Sequence, residues 1–445
     1  MKTINRFAAA PLSAALVALL LPACERAPIT ASVTPAVAAA PATPAPPAPV
    51  REDWPLPIAT ASAQPDLVAT ADGRLLLSWI EPFNGGHALR FAVFTPAAGA
   101  GAKPTGAAAA SGWSPPQTIA TGSDWFVNWA DTPHLAVTDD GALWAHWLRK
   151  SAAATYAYDV ALVRSGDGGA TWSAPVLVND DGKAAEHGFV ALWPATRDTL
   201  GVTWLDGRNS GGEHAGHDMH AAGAMTLRAA RFDAGLNRSG ESEIDAMTCD
   251  CCQTDVAVTA RGPLLVYRDR NHAEIRDIAV TRGQGTGWAP PRMVHADGWK
   301  MPACPVNGPA VAARGNAAVV GWYTAPGDTP TLRLARSDDA GDTFGAPMII
   351  DQGLQVQGRV DVALDARSAW ALWVREEAGG QSLQLARYAS DLAGKPERLQ
   401  LATIEGRGRA TGFPQLALGG DAVYAVWTDV VDGKPRLRGA TLRSD

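Results

Sequence analysis

Three cysteines crowd one tetrad, Cys249, Cys251 and Cys252, and a fourth, Cys304, follows further along the chain. In an oxidising compartment such a set forms two disulfides, by any of three pairings. As thiolates, the same residues with imidazole suit a soft ion such as Cu(I) or Zn²⁺. Imidazoles are at hand in Glu213–His220, where His214, His217 and His220 recur at every third position, with Met225 nearby. The spacing matches no familiar zinc module. Two readings therefore stand: a pair of disulfides stapling loops together, or a copper or zinc site.

A second grouping is of arginine and carboxylate. Arg208, Arg268, Arg270, Arg276 and Arg359 are the planar donors that grip an acidic ligand bidentately. Asp206, Asp250, Asp269 and Glu274 stand among them in sequence and suit the task of orienting them. Asp131, Asp206, Tyr267, Asp269 and Glu274 are the candidates for acid, base or nucleophile, with Asp124 beside Asp131 in the same role.

These residues need a frame, and the chain supplies a repeated one. Seven short apolar runs end in an aromatic: Trp79, Trp147, Trp204, Tyr267, Trp322, Trp373 and Trp427. Their spacing, roughly 50 to 70 residues, is that of propeller blades. Each is preceded by a partner run across a tight turn and followed by a third run, such as Asp159–Ser165 or Thr331–Ser337. Short apolar runs bounded by Gly, Pro and Asp read as buried strands. Fourth strands follow most of these, as in the segments after Trp113, Trp172, Trp288 and Phe344. The seventh repeat has none, and Trp54–Thr60 has the same shape. The expectation is an all-β, seven-bladed propeller of four-stranded blades, with six as the fallback count, closed by the N-terminal strand.

Two turns are nearly identical, Ser165–Trp172 and Ser337–Phe344, and both fit S-x-D-x-G-x-T-[W/F]. Asp and Ser side chains satisfy turn amides, Gly takes a positive φ, and the aromatic packs between sheets. The motif resembles the Asp box (BNR repeat), and the chain is similar to the sialidase-like propeller superfamily over its whole repeat region. That resemblance implies that the boxes are structural and mark the face away from the site. The opposite face then carries the loops from strand four to strand one and from strand two to strand three, which hold the residues named above. Sialidases use three arginines for the substrate carboxylate, a Tyr nucleophile paired with Glu, and an Asp acid/base, in a retaining reaction. This sequence lacks their Arg-Ile-Pro near the first blade, and Tyr267 stands where other repeats have a core Trp.

The N-terminus reads as an export signal over residues 1–23: Lys2 and Arg6, then an apolar run from Phe7 to Leu21, too short to span a bilayer. Leu21-Pro22-Ala23-Cys24 resembles a lipobox, which implies a diacylated Cys24 and a bacterial envelope location, with Glu25 favouring the outer membrane. Residues 24–53 are Ala/Pro-rich and read as a tether of up to about 90 Å; residues 54–445 are the propeller. A net charge of −7, without clusters, excludes nucleic acid as a partner and leaves the lipid anchor as the membrane contact. The expectation is a monomeric envelope lipoprotein that binds an acidic or glycan-like ligand, and hydrolyses it if the chemistry is present. Against it stand three alternatives: a thiolate/His metal protein, an exo-α-sialidase, and a scaffold for a partner protein.

Overall fold

Each aromatic-ended run forms the second strand of an antiparallel meander, and there are seven of them. The computed structural model describes residues 50–58, 61–97, 112–210 and 223–443. Second strands run Leu75–Phe83, Leu143–Lys150, Leu200–Asp206, Gly262–Arg268, Ala317–Thr324, Ser368–Glu377 and Ala422–Val431. The seven aromatics are all at most 5% exposed, which makes them the core between blades. Truncating one to Ala would cost roughly 3–5 kcal/mol.

First strands, from Ala63–Ala69 in blade one to Gln415–Gly419 in blade seven, line the centre, and each touches the first strand of both neighbouring blades around a closed cycle. In blades one and four the outer strand is broken in two, Gly112–Trp113 then Gln117–Gly122, and Gly287–Trp288 then Arg292–His295. The breaks fall at Pro115-Pro116 and Pro290-Pro291, where no amide is available for the ladder.

The two S-x-D-x-G-x-T turns share one set of bonds. Gly169 N donates to Ser165 Oγ at 2.8 Å, and Thr171 N and Oγ1 donate to the Asp167 carboxylate at 2.9 and 2.6 Å. Gly341 and Thr343 repeat this on Ser337 and Asp339 at 2.8, 2.8 and 2.6 Å. These bonds hold the Asp167 and Asp339 carboxyls down to about 2. Gly169, at φ +92°, lies against Phe91 of the preceding blade, and Gly341, at φ +82°, against Leu264. A side chain at either position would force the adjoining blades apart. Both turns join strands three and four, so they lie on the face opposite the strand four-to-one loops.

Ring closure differs in detail from the sequence expectation. The closing strand is Val50–Asp53, paired antiparallel with Lys434–Arg443 as the outermost strand of blade seven. It lies upstream of Trp54–Thr60, within the segment read as tether. The reason is chemical: Pro55 and Pro57 lack the amides a strand needs. Trp54 instead donates its backbone N–H to Gly439 O at 3.0 Å and packs its ring on Phe94, Trp113 and Tyr424, with centroids 4.8–5.0 Å apart. Chains beginning at Val50 and at Trp54 should therefore differ. The shorter one exposes the edge of Lys434–Arg443 and is expected to unfold several degrees lower by thermal denaturation and to aggregate on heating; equal melting temperatures would contradict the assignment of the closing strand.

Candidate functional site

Blade-to-blade contacts near the centre are made by polar side chains of the first strands and the loops entering them. Asp66 accepts the Leu135 amide at 2.6 Å, Asp131 that of Phe189 at 2.8 Å, Asp255 that of Val311 at 2.7 Å, and Asp361 that of Leu416 at 2.6 Å. Asn307 accepts the Arg359 amide at 2.8 Å. Each bond runs from one blade to the next. Burial is the main cause that lifts Asp131 to about 7, Asp255 to about 6 and Asp361 to about 8. For Asp361 the nearby Asp255 charge adds to it.

The loop entering blade two packs over these strands on the face opposite the S-x-D-x-G-x-T turns. Trp129 stacks on Phe413 of blade seven with centroids 5.8 Å apart, and Ala130 O accepts Gln253 Nε2 of blade four at 2.8 Å. Arg359 lies over the Trp129 ring at 5.1 Å. Its guanidinium donates to Thr411 Oγ1, Gly412 O and Gly408 O at 2.7–3.0 Å. Arg268 donates to three carbonyls, of Asn307, Arg276 and Tyr323, at 2.6–2.9 Å, with Trp299 beneath it. Burial lowers Arg268 to about 9 and Arg359 to about 10. Both arginines bind loop backbone in place of a ligand.

The other candidates fall into separate places. Asp206 is buried, accepts Trp204 Nε1 at 2.7 Å and pairs with Arg208 through both carboxylate oxygens. Arg208 also reaches Glu241 at 3.2 Å. Tyr267 is a core ring whose hydroxyl donates to Asp245 at 2.6 Å. In that it mirrors Trp322 and Trp373, whose indoles donate to Asp297 and Asp351 at 2.7 Å. Asp269 lies beside Asp245 on the same rim, raised to about 7 by burial and then by that charge. His214, His217, His220 and Cys24 lie outside the described residues.

What the fold does bring together is a charged cluster over blades two to four. Tyr158 opens the third strand of blade two, Tyr158–Ser165. Its hydroxyl donates to Glu186 Oε1 at 2.7 Å, with Asp131 Oδ2 at 3.2 Å. Glu186, half-buried, is pushed up to about 8 by burial, with the charges of Asp131 and Asp250 adding to it against the Tyr158 hydrogen bond. Burial and the two carboxylates raise Tyr158 as well. Gly188 makes the approach possible, because a Cβ there would stand 1.9 Å from Asp131 Oδ2.

Asp250, whose charge acts on Glu186, lies 3.3 Å from Arg270 and 3.6 Å from Arg276, with its side chain 25% exposed. Glu274, in a left-handed conformation at φ +58°, bridges the same two guanidinium groups at 2.8 and 3.1 Å. Burial alone would raise Glu274, but the two arginines outweigh it and hold its carboxyl low. Behind this, His187 is fully buried. Its Nδ1 donates to Tyr158 O at 3.0 Å and its Nε2 lies 3.1 Å from Asp181. The arrangement places a carboxyl pushed up to about 8 within electrostatic reach of a carboxylate bracketed by two guanidinium groups. Such a pair can give a proton and stabilise a developing positive charge.

Sequence reading gives Glu186 no role and Asp250 only that of orienting arginines. It misses Tyr158 altogether, by starting the third strand at Asp159. The signal was the first residue after a strand two-to-three loop, which register points at the same face.

The four cysteines are paired as Cys249–Cys252 and Cys251–Cys304, with Cα–Cα distances of 5.7 and 6.1 Å. The second bond ties the loop entering blade four to that entering blade five. A surface cleft of about 450 Å³ lies on the opposite face, lined by Arg336, Asp339, Thr343 and Leu392 among others. Its Asp339 is already engaged by the turn.

No protein-family model matches the chain, and no curated protein matches it in sequence. Among solved structures it is similar to the polysaccharide lyase Uly1, with 7% identity and a TM-score of 0.50 over 86% of this chain and 90% of that one. It is also similar to an α-L-arabinanase of Penicillium chrysogenum (13% identity, TM-score 0.46, covering 89% and 98% of the two chains) and to a Trypanosoma rangeli sialidase mutant (10%, 0.39, covering 69% and 53%). At these identities the likeness is one of fold.

The raised carboxyls make a stability prediction with a definite sign. Asp131, Asp255, Asp361 and Glu186 all have folded values above their unfolded ones. Their contribution is full below about pH 4 and is lost as pH rises through about 6 to 8. Carboxyls held low, such as Glu274, Asp206 and Asp167, act oppositely at the acid end. The melting temperature is expected to peak near about pH 5 and fall towards about pH 9, with a shallower alkaline fall in Asp361→Asn. A melting temperature that climbs across that alkaline range would show these carboxyls to be ionised in the fold.

Proposed function

We propose that this chain is a carbohydrate-processing propeller of the bacterial envelope, anchored through Cys24, which cleaves an acidic glycan over blades two to four. The observation that carries the reading is the pairing of Glu186, protonated at neutral pH, with the guanidinium-bracketed Asp250. In this reading Glu186 protonates the leaving glycosidic oxygen. Asp250 stabilises the oxocarbenium-like transition state as nucleophile or base. Arg270 and Arg276 bracket Asp250, and Arg270 is the one set to meet the ligand's own carboxylate. Tyr158 is a positioning residue. Its hydroxyl fixes one Glu186 oxygen, while the Phe126 ring stacked on it at 4.1 Å keeps water from its face.

The reading differs from that of a sialidase. Arg268 and Arg359 bind loop carbonyls and Arg208 is tied to Asp206 and Glu241, so three arginines do not converge on one carboxylate. A uronate- or sulfate-bearing glycan, which needs fewer, fits better than sialic acid.

The test is release of reducing ends from a panel of acidic oligosaccharides. Glu186→Gln and Asp250→Asn should each lower kcat about 10²- to 10⁴-fold. The wild-type rate should fall as pH rises through about 8, where the Glu186 proton is lost. Tyr158→Phe removes a bond that favours the Glu186 anion, so its alkaline limb should shift to higher pH. Glycan binding without turnover, or turnover indifferent to both carboxyl variants, would sink the acid/base assignment.

A further inference from the structure

Two disulfides share the loop entering blade four, and they are not equivalent. Cys251–Cys304 joins residues 53 apart in sequence and ties two blades, whereas Cys249–Cys252 joins residues three apart. A cross-link stabilises by restricting the unfolded chain, and that effect grows with the loop it closes. The short bond therefore adds little as a staple. It also lies buried, Cys249 at 1% and Cys252 at 2% exposed, while Cys304 is exposed and Cys251 half-buried.

The Sγ atoms of Cys249, Cys251 and Cys252 all lie within 4.8 Å of one another. Three sulfurs each about 2.3 Å from a single ion stand about 4 Å apart. The loop thus holds all three sulfurs within reach of that spacing once the Cys249–Cys252 bond is reduced, on a backbone tied down by the Cys249 amide donating to Arg268 O at 3.1 Å. Around it, Cys251 packs on the apolar cluster of Ala130, Phe189 and Tyr267. Nearby is a buried positive charge. Arg276 pairs with Glu274 at 3.1 Å and lies 3.6 Å from Asp250, the residue between Cys249 and Cys251. Thiolate ligands select a soft ion such as Cu(I).

We propose that Cys249, Cys251 and Cys252 form a redox-gated site for Cu(I), locked in this structure as disulfides. A dithiol reductant enters at the exposed Cys304. Its thiolate attacks the Cys304 sulfur, the Cys251–Cys304 bond breaks, and Cys251 leaves as a thiolate. The second thiol of the reductant then closes the reductant to its own disulfide and frees Cys304. The Cys251 sulfur, within 4.8 Å of the buried pair, carries the exchange inward. A second dithiol equivalent completes the reduction. In total two dithiols give four electrons and four protons and two disulfides become four thiols. Cu(I) then displaces the protons of Cys249, Cys251 and Cys252 into solvent. Cys304, on the other loop, is the gate and not a ligand.

The experiment titrates Cu(I) anaerobically into the full mature chain, oxidised and dithiol-reduced, against a chromogenic Cu(I) chelator. The reduced chain is expected to withhold one Cu(I) and the oxidised chain none. Cys304→Ser should still withhold it after reduction, and Cys249→Ser or Cys252→Ser should withhold it at least about tenfold more weakly. X-ray absorption on the reduced wild type checks the ligands independently of variant folding, with three sulfur neighbours near about 2.3 Å expected. The proposal is overturned if the reduced chain yields all its copper to the chelator or if nitrogen neighbours dominate. It is equally overturned if copper is held as well by the Cys249 and Cys252 variants, or if Zn(II) is captured in place of Cu(I).

Discussion

A carboxyl on one blade that accepts a backbone amide of the next is the interaction on which the rest of this propeller depends. Asp66, Asp131, Asp255 and Asp361 all make it, and Asn307 makes its amide equivalent. A propeller's first strands converge without pairing to one another, so their outward-facing amides need partners from the neighbouring blade. A short acceptor side chain is the least bulky answer. It has an electrostatic consequence, because several carboxyls are drawn into a region with little water, and Asp131, Asp255 and Asp361 are driven towards their neutral forms.

Asp131 shows how this frame becomes a site. The carboxyl that joins blade two to blade three also faces the Tyr158 hydroxyl, and Tyr158 in turn faces Glu186. The charge of Asp131 is one reason that Glu186 holds its proton. Structural and chemical roles therefore meet in one residue, and the absent side chain at Gly188 lets them meet. A protonated carboxyl at the mouth follows from how the ring is held together and needs no separate device.

The fold was legible in the sequence because its signal is repeated. Seven aromatics at blade spacing and two near-identical turns each test the same hypothesis independently, and the structure puts all seven aromatics in the inter-blade core. The closing strand lies a few residues earlier than its Trp-x-x-Pro shape suggests, since the prolines of that segment leave too few amides for a ladder. The site was far less legible. Tyr267 stands out as the odd residue in the repeat, yet its hydroxyl does for blade four what an indole N–H does elsewhere. Tyr158 carries no such mark in sequence. Its place at the junction of three loops is a tertiary fact, and the raised state of Glu186 depends on neighbours from two other loops.

The arginines make the same point from the other side. Charge and planarity suit an arginine for an acidic ligand, and they equally suit it for binding several carbonyls at once. Where loops of seven blades crowd together, backbone carbonyls are numerous and water is scarce, so a guanidinium with two or three carbonyl partners is a strong architectural element. Arg268 and Arg359 have become such elements and are nearly invisible to solvent. Arg270 and Arg276 differ because their partners are carboxylates, Asp250 and Glu274, and Asp250 is open to solvent. An arginine bound to backbone cannot exchange partners without dismantling a loop. One bound to a partly exposed carboxylate can share itself with an incoming anion, and this distinction, more than arginine content, divides the arginines of this face into two kinds.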